Sequence, residues 1–464
     1  MGLLTFSDFL ESLRDGRDVY YRGKKVADIT KHPITRLYVN PTEPFFQDKY
    51  LYDDPELGVR TSKFYKTPRS SADLLERIQL HYEMTKAIHV PNPHIGSDGL
   101  NALAIATGKS NENREKVANY IKEATRNNWF FAGAQTDVKG NRRLRPTQQE
   151  DADMYVHVVD ERDDGIIVRG AKMHNGAAVA NGMIVLPSRS LREGEEDYAV
   201  AFALPLNAKG LKLICNQSVP GEAAVHDWEG MRIRTGSLIL TLTIFDNVFV
   251  PWEHVFICKD VALANRAALM FALLHRLSSL SYRSALAEYL IGLGKLAAEA
   301  NGVDKVSHII MAIKDLIVYA ETQRIMAKMA AYECHIDEAT GIAIPNSIYT
   351  NIGKMFSNEN YLSTIRSLID IAGGIAITVP TGDDYANKEL KPYIDKYLRG
   401  AIPGADRFKI MLLVRELVGL QGGENAILHV QAEGSIRASI IELVRSYDYT
   451  DSKRAVEKLL SKMK

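Results

Sequence analysis

The sequence contains very little cysteine: Cys215, Cys258 and Cys334 are its three thiols in 464 residues. None stands in a C-x2-C or C-x3-C pair, and three thiols cannot supply a four-thiolate cluster within one chain. Cys334 precedes His335, but no further ligand spacing supports a metal site there. A helix cysteine in or near the core is the simpler interpretation, so we expect no metal site.

An excess of either charge and a long apolar run are also missing. The 57 Lys and Arg residues equal the 57 Asp and Glu residues, so no whole-chain field attracts nucleic acid or a membrane surface. No run of about 18 apolar residues predicts a transmembrane helix. The first ten residues lack a charged segment followed by an apolar core. We therefore expect no signal peptide and a cytoplasmic location.

Three zones follow one another along the chain. Residues 1–145 and 259–464 show mostly helical apolar spacing, whereas 146–258 alternate with a period of two. We expect an α+β protein with an N-terminal helical domain, a middle β-barrel domain and a C-terminal helical bundle. The predicted helices are Thr5–Asp15, Ser71–His89, Asn111–Asn127, Ala262–Asn301 (broken by Gly292 and Gly294), Lys305–His335, Ile348–Ala372 and Arg407–Leu420.

The middle zone begins with a hairpin signal. Met154–Val159 and Ile166–Arg169 are rich in β-branched residues, and Asp163-Asp164-Gly165 between them supplies a turn with glycine. Strands at this spacing suggest a small barrel or a sandwich. The further predicted strands are Met183–Pro187, Tyr198–Pro205, Leu211–Cys215 and Leu238–Val250.

A polar, basic loop joins the first zone to the strands. Ala132–Pro146 contains glycine together with Lys139, Arg142 and Arg143. Backbone amides and these side chains can hold a pyrophosphate. A solvated charged loop is the alternative.

A second chemical signal lies on one helix face. His275, Ser279 and Tyr282 stand at positions i, i+4 and i+7, which project from the same side of a helix. Histidine titrates near neutrality, and tyrosine donates or relays a proton. A buried, hydrogen-bonded histidine on an apolar helix is the alternative.

These motifs resemble a known superfamily. Ala132–Pro146 is similar to the segment G-A-x-T-D-x-K-G-D-R-S of the 4-hydroxybutyryl-CoA dehydratases and 4-hydroxyphenylacetate 3-hydroxylases, and the likeness continues to Asp370–Gly374. The resemblance implies an acyl-CoA-dehydrogenase-like fold with FAD between barrel and bundle. It implies FAD contacts from Gln135, Thr136, Lys139, Arg142, His174, Gly176, Gly373 and Gly374, the last two often from a neighbouring subunit.

The sequence departs from the dehydratases where they bind a [4Fe–4S] cluster. Their matching helix supplies a His and, seven residues later, a Cys; here these positions hold His275 and Tyr282. Two further cluster cysteines are missing from the loop Ile95–Leu103, and Ser279 and Gly176 stand where the dehydratases have Tyr and Thr. In that loop, Ile95 and Gly99 replace the Arg and Tyr with which the phenol hydroxylases grip their substrate. We therefore expect no iron–sulfur cluster.

The resemblance implies an FAD-dependent oxidoreductase that acts on an acyl-CoA or a small aromatic such as a phenol. His275 would be the leading acid–base residue, with Tyr282 assisting and Glu433 as a weaker candidate. Radical dehydration is not expected without iron as a Lewis acid. Two alternatives stay open: a two-component monooxygenase with exchangeable FADH2 and a flavin reductase, and a non-catalytic paralogue. The family also implies a homotetramer.

Overall fold

The computed structural model describes residues 2–88, 95–188, 190–216 and 239–463, except for the side chains of residues 88, 420–422, 424 and 425. The fold mixes helices and sheets, as expected. The helices are α1 Phe6–Ser12, α2 Arg36–Val39, α3 Ser71–Ile88, α4 Gly96–Thr107, α5 Asn111–Asn127, α6 Val261–Asn301, α7 Ser307–Tyr332, α8 Ser347–Ala372, α9 Ile375–Thr378, α10 Gly382–Ala386, α11 Lys391–Tyr397, α12 Gly404–Arg415, α13 Gln421–Gln431, α14 Ile436–Ser446 and α15 Thr450–Leu460.

The strands follow the predicted ones closely in the middle zone, and the hairpin is confirmed as β6 paired antiparallel with β7. The first residue of the predicted strand Leu238–Val250 lies outside the described residues. The strands are β1 Val19–Tyr21, β2 Lys24–Lys25, β3 Leu51–Asp54, β4 Val59–Ser62, β5 Phe131–Ala134, β6 His157–Arg162, β7 Gly165–Asn175, β8 Gly182–Val185, β9 Val200–Pro205, β10 Leu211–Cys215, β11 Thr241–Pro251, β12 Val255–Cys258, β13 His335–Ile336 and β14 Ala343–Ile344.

The expected closed barrel is wrong for the described strands. They form an open six-stranded sheet, β2-β1-β10-β11-β7-β6, and an open four-stranded sheet, β12-β9-β8-β5. Inner residues of both sheets share one core, in which the rings of Phe202 and Phe245 meet edge to face at 6.0 Å. Alternating apolar residues require only that one face is buried, and a second sheet meets that need as well as closure does.

The first zone is less helical than its pattern predicts. β1 pairs in parallel with β10, and β5 pairs in parallel with β8, so both sheets contain strands from before residue 145. These strands are two to four residues long, too short to establish a period of two. The division at 145 and 258 stays a prediction.

Helix α6 runs unbroken for 41 residues, so the expected interruption at Gly292 and Gly294 is wrong. A Cβ at Gly294 would lie 2.6 Å from Leu316 Cδ1 on α7, and the glycine therefore permits close helix packing rather than a break. Asp260 caps the start of α6 by accepting from the amide of Leu263, and Gly302 ends it in the left-handed conformation.

Helix α6 passes between the N-terminal helices and the rest of the bundle. Its Ser281 hydroxyl donates to the carbonyl of Ile78 on α3, and its Leu280 packs at Gly353 of α8. Within the described part of the chain, no helix combines the length and apolar character that crossing a bilayer requires. The fold thus places the central stretch of α6 among helices from both ends of the chain.

Candidate active site

The predicted helix face lies at the centre of α6. His275 and Tyr282 are two turns apart, about 10 Å along the axis, and both are largely buried: the His275 side chain is 13% exposed and Tyr282 is 4% exposed. Between them, the Ser279 hydroxyl donates to the carbonyl of Arg276 within the same helix. The shared face predicted from the spacing is confirmed, but each end contacts a different carboxylate.

The His275 end faces Asp98 on α4. His275 Nδ1 lies 3.6 Å from Asp98 Oδ2, and the imidazole stacks on Phe271 with ring centres 5.4 Å apart. Asp98 Oδ1 accepts from Arg77 Nη2 at 2.7 Å and from the Ser278 hydroxyl at 3.2 Å. Both members of the Arg77–Asp98 pair are at least 95% buried. A buried ion pair from α3 and α4 therefore stands directly behind the histidine.

Asp98 is ionised in this setting. Burial by itself raises the pKa of Asp98, but the Arg77 guanidinium, with help from His275 and His81, holds that pKa well below its ordinary value. The carboxylate thus presents a negative charge to His275 at neutral pH.

The Tyr282 end faces Glu433, in the turn between α13 and α14. Glu433 and Gly434 both have left-handed backbone, with φ of 56° and 89°, a conformation that costs energy at a non-glycine residue. The turn brings the Glu433 carboxylate, 1% exposed, to α6. Its Oε1 accepts from the Tyr282 hydroxyl and its Oε2 from Arg283 Nη2 at 2.5 Å.

Helix α8 holds the same turn from behind. Lys354 Nζ donates to the carbonyl of Gly434 at 2.6 Å, and Asn358 Nδ2 donates to the carbonyl of Val430 at 2.6 Å. Asn351 Oδ1 accepts from Arg276 Nη1 at 2.7 Å. These three α8 residues form one helical face. Through it, α8 contacts the strained turn at Gly434, the end of α13 at Val430 and α6 at Arg276.

Three titrating groups at this end are shifted. Burial and the Glu433 carboxylate raise the pKa of Tyr282 well above its ordinary value, so its hydroxyl stays a donor. Burial opposes ionisation of Glu433, but Arg283, His275 and Lys354 lower its pKa overall. Burial lowers the pKa of Lys354 to about 8, against the pull of Glu433.

The predicted FAD loop lies beside β7. The amide of Met173 donates to the carbonyl of Thr136 at 2.7 Å, and Lys172 Nζ lies 2.8 Å from Asp137 Oδ1. Both charged groups are almost fully buried, and burial lowers the pKa of Lys172 despite its partner. Gln135 Nε2 donates to the carbonyl of Ala268 at 3.1 Å, which ties the loop to α6 two turns before His275.

The β7 end continues this surface. His174 is exposed and has a left-handed φ of 57°, and a Cβ built at Gly176 would meet no atom within 4 Å. Between them, Asn175 Oδ1 accepts from the hydroxyls of Thr241 and Thr243 at 2.7 and 3.1 Å. Its Nδ2 is buried and has no hydrogen-bond partner among the described residues.

Two predicted FAD contacts are not brought to this place within one chain. Asn301, at the end of α6, donates to the carbonyls of Ile371 and Ala372, which places Gly373 there too. That end is about 50 Å along α6 from Ala268, at 1.5 Å per residue. Gly373 and Gly374 are exposed, and a Cβ at either meets nothing within 4 Å. Arg142 is exposed in the loop.

The three cysteines lie away from the His275 face. Cys215 ends β10, Cys258 ends β12, and Cys334 follows α7. Burial raises the pKa of each thiol, to about 12 and about 11 for the first two. In the described ranges, no group of three or more His, Cys, Asp or Glu side chains is arranged to hold a metal ion.

Comparison with known proteins shows the family to which this chain belongs. The sequence model described as 4-hydroxyphenylacetate 3-hydroxylase N terminal matches residues 5–257, and its C-terminal counterpart matches residues 264–461. The chain belongs to the 4-hydroxyphenylacetate 3-hydroxylase family. It is 28% identical to the 4-hydroxybutyryl-CoA dehydratase/vinylacetyl-CoA-Delta-isomerase of Clostridium aminobutyricum, over 84% of this chain and 83% of that protein. It is 30% identical to the 4-hydroxyphenylacetate 3-monooxygenase oxygenase component of Thermus thermophilus, over 86% and 84%.

Solved structures of a dehydratase and of an oxygenase component superpose on this chain over nearly its whole length. An oxygen-tolerant 4-hydroxybutyryl-CoA dehydratase from N. maritimus matches with a TM-score of 0.92 and 25% identity, over 98% of this chain and 95% of that chain. An oxygenase component of 4-hydroxyphenylacetate 3-monooxygenase, complexed with FAD and 4-hydroxyphenylacetate, matches with a TM-score of 0.91 and 26% identity, over 99% and 98%. The expected family is confirmed.

Several residues of the site were missed or underrated from the sequence. Asp98 stands at the Asp of the phenol-hydroxylase motif R-S-P-D-Y-x-N-A, so that motif offered a signal for it. Glu433-Gly434 offered a weaker one, because a glycine after a carboxylate suggests a turn. Arg77 and Lys354 offered none, since their partners are 21 and 80 residues away.

Proposed function

We propose that this protein is a cluster-free, FAD-dependent oxidoreductase in which His275 transfers a proton to or from a small aromatic or an acyl-CoA. The observation that carries the proposal is the hydrogen bond of Tyr282 to Glu433. Tyr282, which stands where the dehydratases have a cluster cysteine, uses its hydroxyl to bind the buried Glu433 carboxylate. None of the three cysteines lies on α6: Cys215 ends β10, Cys258 ends β12 and Cys334 follows α7, which supports the proposal.

The loop and the end of β7 fit a flavin. Asn175 Nδ2 is a buried donor without a partner in the described ranges, and flavin rings carry acceptor oxygens and nitrogens. The open space at Gly176 leaves room for a planar ring beside it. Gln135, Thr136, Lys139 and His174 border the same surface. When bound, FAD would supply the redox chemistry, while the protein binds, orients and exchanges protons.

The same proposal includes a homotetramer, which an FAD contact from a second copy supports. Gly373 and Gly374 stand at the far end of α6 from Gln135, so they can contact a flavin only from another copy. Apolar side chains for such contacts are exposed on α7, where Met311, Ile317 and Ile325 are 58%, 43% and 53% exposed. The likeness to acyl-CoA dehydrogenases stays a prediction.

An absorbance spectrum of the purified protein tests the proposal. We expect flavin bands, or uptake of added FAD or FADH2, together with iron and sulfide far below one cluster per chain. A brown chromophore with stoichiometric iron would contradict the cluster-free assignment. Failure to bind oxidised and reduced flavin would instead favour a non-catalytic paralogue.

A matched pair of variants at Gly176 tests the flavin location. Gly176→Thr restores the hydroxyl of the dehydratases in open space, whereas Gly176→Ala adds a methyl group alone. We expect the first to shift the reduction potential of bound FAD relative to the second. Equal potentials and equal FAD affinities in both variants and the wild type would place the flavin elsewhere.

A two-component monooxygenase is the second candidate function. It is favoured by the relative that is an oxygenase component and by the solved relative complexed with FAD and 4-hydroxyphenylacetate. In this reaction a flavin reductase supplies FADH2, and O2 gives one atom to the phenol and one to water. Enzymatically reduced FAD and 18O2 are supplied with a panel of phenols. A product carrying one 18O atom supports it, and flavin oxidation that yields peroxide without product opposes it.

A further inference from the structure

Two buried polar atoms face each other at the centre of the site. His275 Nδ1 and Asp98 Oδ2 are 3.6 Å apart, and neither has a hydrogen-bond partner among the described residues. Buried polar atoms are almost always paired in folded proteins. The two atoms are complementary when Nδ1 carries a proton, and a small rotation of the imidazole brings them to hydrogen-bond distance.

Two donors hold one oxygen of the Asp98 carboxylate, and this fixes the direction in which its other oxygen points. Arg77 and Ser278 both donate to Oδ1, which leaves Oδ2 toward the imidazole. The plane of the His275 ring is held by the stack on Phe271, at an interplanar angle of 15°. With Nδ1 toward α4, the opposite ring edge, which carries Nε2, points away from α4.

Within the described ranges, the other charged groups around His275 do not compete for Nδ1. On α3, Arg77 and His81 lie behind Asp98 and lower its pKa. Across the site, Glu433 has one oxygen on Tyr282 and the other on Arg283. The remaining cations are Arg276 on α6 and Lys354 on α8, which donate to Asn351 and to the Gly434 carbonyl.

We propose that Asp98 is a positioning residue for His275. It accepts the Nδ1 proton, fixes the ring orientation and leaves Nε2 bare as the atom that meets a bound ligand. The inference rests on the proposed function only for what Nε2 acts on. A histidine held by a buried carboxylate in this way is a general base with a defined tautomer.

Solid-state 15N NMR of protein labelled in the histidine rings tests the assignment. His275→Gln identifies the His275 signals by their loss. Spectra are recorded at about pH 9, above the ordinary histidine pKa of about 6.5. We expect the wild type to show a protonated Nδ1. In Asp98→Asn, the amide oxygen stays with Arg77 and the amide NH2 faces Nδ1, so the proton moves to Nε2.

Ser278→Ala is the matched control, because it removes a bond to Oδ1 and leaves Oδ2 in place; its His275 tautomer should equal that of the wild type. An unprotonated Nδ1 in the wild type, or an unchanged tautomer in Asp98→Asn, would overturn the proposal. If Asp98→Asn does not fold, the wild-type spectrum alone decides. The spectra need neither substrate nor flavin, so a failure of the proposed function leaves this result readable.

Discussion

The two carboxylates that flank the central face of α6 differ in one respect. Asp98 and Glu433 are each 1% exposed, and each is paired with a buried arginine, at 2.7 and 2.5 Å. Asp98 gives one oxygen to Arg77 and leaves the other toward His275. Glu433 gives one oxygen to Arg283 and the other to Tyr282.

This difference in hydrogen bonding indicates two structural roles for a buried carboxylate. A carboxylate with both oxygens occupied anchors the elements that carry it, here the strained turn between α13 and α14 and the helix α6. A carboxylate with one oxygen left can orient a neighbouring histidine. Tyr282 belongs to the first kind, because its hydroxyl completes the Glu433 anchor. The predicted catalytic role of Tyr282 stays a prediction.

Removing the arginine from the anchored carboxylate should have the largest effect. In Arg283→Met, the Glu433 charge is left buried without its guanidinium, so we expect the free energy of unfolding to fall by about 3–5 kcal/mol. Urea unfolding followed by circular dichroism measures it. Adding Glu433→Gln should recover part of the loss, because no uncompensated charge then remains.

Arg266→Met is the control for a less buried pair on the same helix. Arg266 Nη2 lies 2.8 Å from Asp337, but its side chain is 37% exposed. We expect a loss of about 1 kcal/mol or less there. Equal losses in the two variants would mean that the Glu433 pair is not an anchor.

The ammonium behind the Glu433 turn should give a pH-dependent stability. Burial lowers the pKa of Lys354 to about 8 from the ordinary 10.5, so the native state releases this proton before the unfolded state does. Stability should therefore rise between pH 8 and 10.5, by up to about 3 kcal/mol. In Lys354→Met this rise should be absent, so the difference in stability between wild type and variant should grow over the same pH range. A parallel pH profile for both proteins would show that Lys354 titrates normally.

Removing the tyrosine hydroxyl tests the other oxygen of Glu433. In Tyr282→Phe, a hydrogen bond to a charged group is lost, which costs about 1.5–3 kcal/mol. Tyr319→Phe is the control, because the Tyr319 hydroxyl contacts the neutral Ser357 hydroxyl at 3.1 Å and its loss should cost about 1 kcal/mol. Chemical unfolding of both variants measures the difference. A smaller loss in Tyr282→Phe than in Tyr319→Phe would contradict the anchor.

The sequence predicts the long helices well and the sheets less well. Helix α5 has the predicted bounds, because a strong period of 3.6 is local information. The glycines of α6 mislead, since whether Gly294 breaks or packs depends on Leu316, 22 residues later. β1 cannot be recognised either, because its partner β10 lies some 190 residues away in the sequence.

The candidate site shows the same limit. The spacing of His275 and Tyr282 predicts their shared face, and family resemblance points to the loop at Gln135. What each side chain contacts is decided across the chain: Asp98 reaches His275 from α4, and Glu433 reaches Tyr282 from 151 residues away. A periodic pattern reports which face is buried, not which carboxylate meets it.

The smallest effect on stability should come from removing one of the two donors to Asp98 Oδ1. In Ser278→Ala, Asp98 Oδ1 loses a donor at 3.2 Å but keeps Arg77 at 2.7 Å. We expect a loss of about 1 kcal/mol or less in the free energy of unfolding, because the carboxylate stays paired. Tyr282→Phe should cost more, since Glu433 Oε1 has the tyrosine as its donor. If Ser278→Ala were the more damaging of the two, Asp98 would be the anchor, and the roles of the two carboxylates would be reversed.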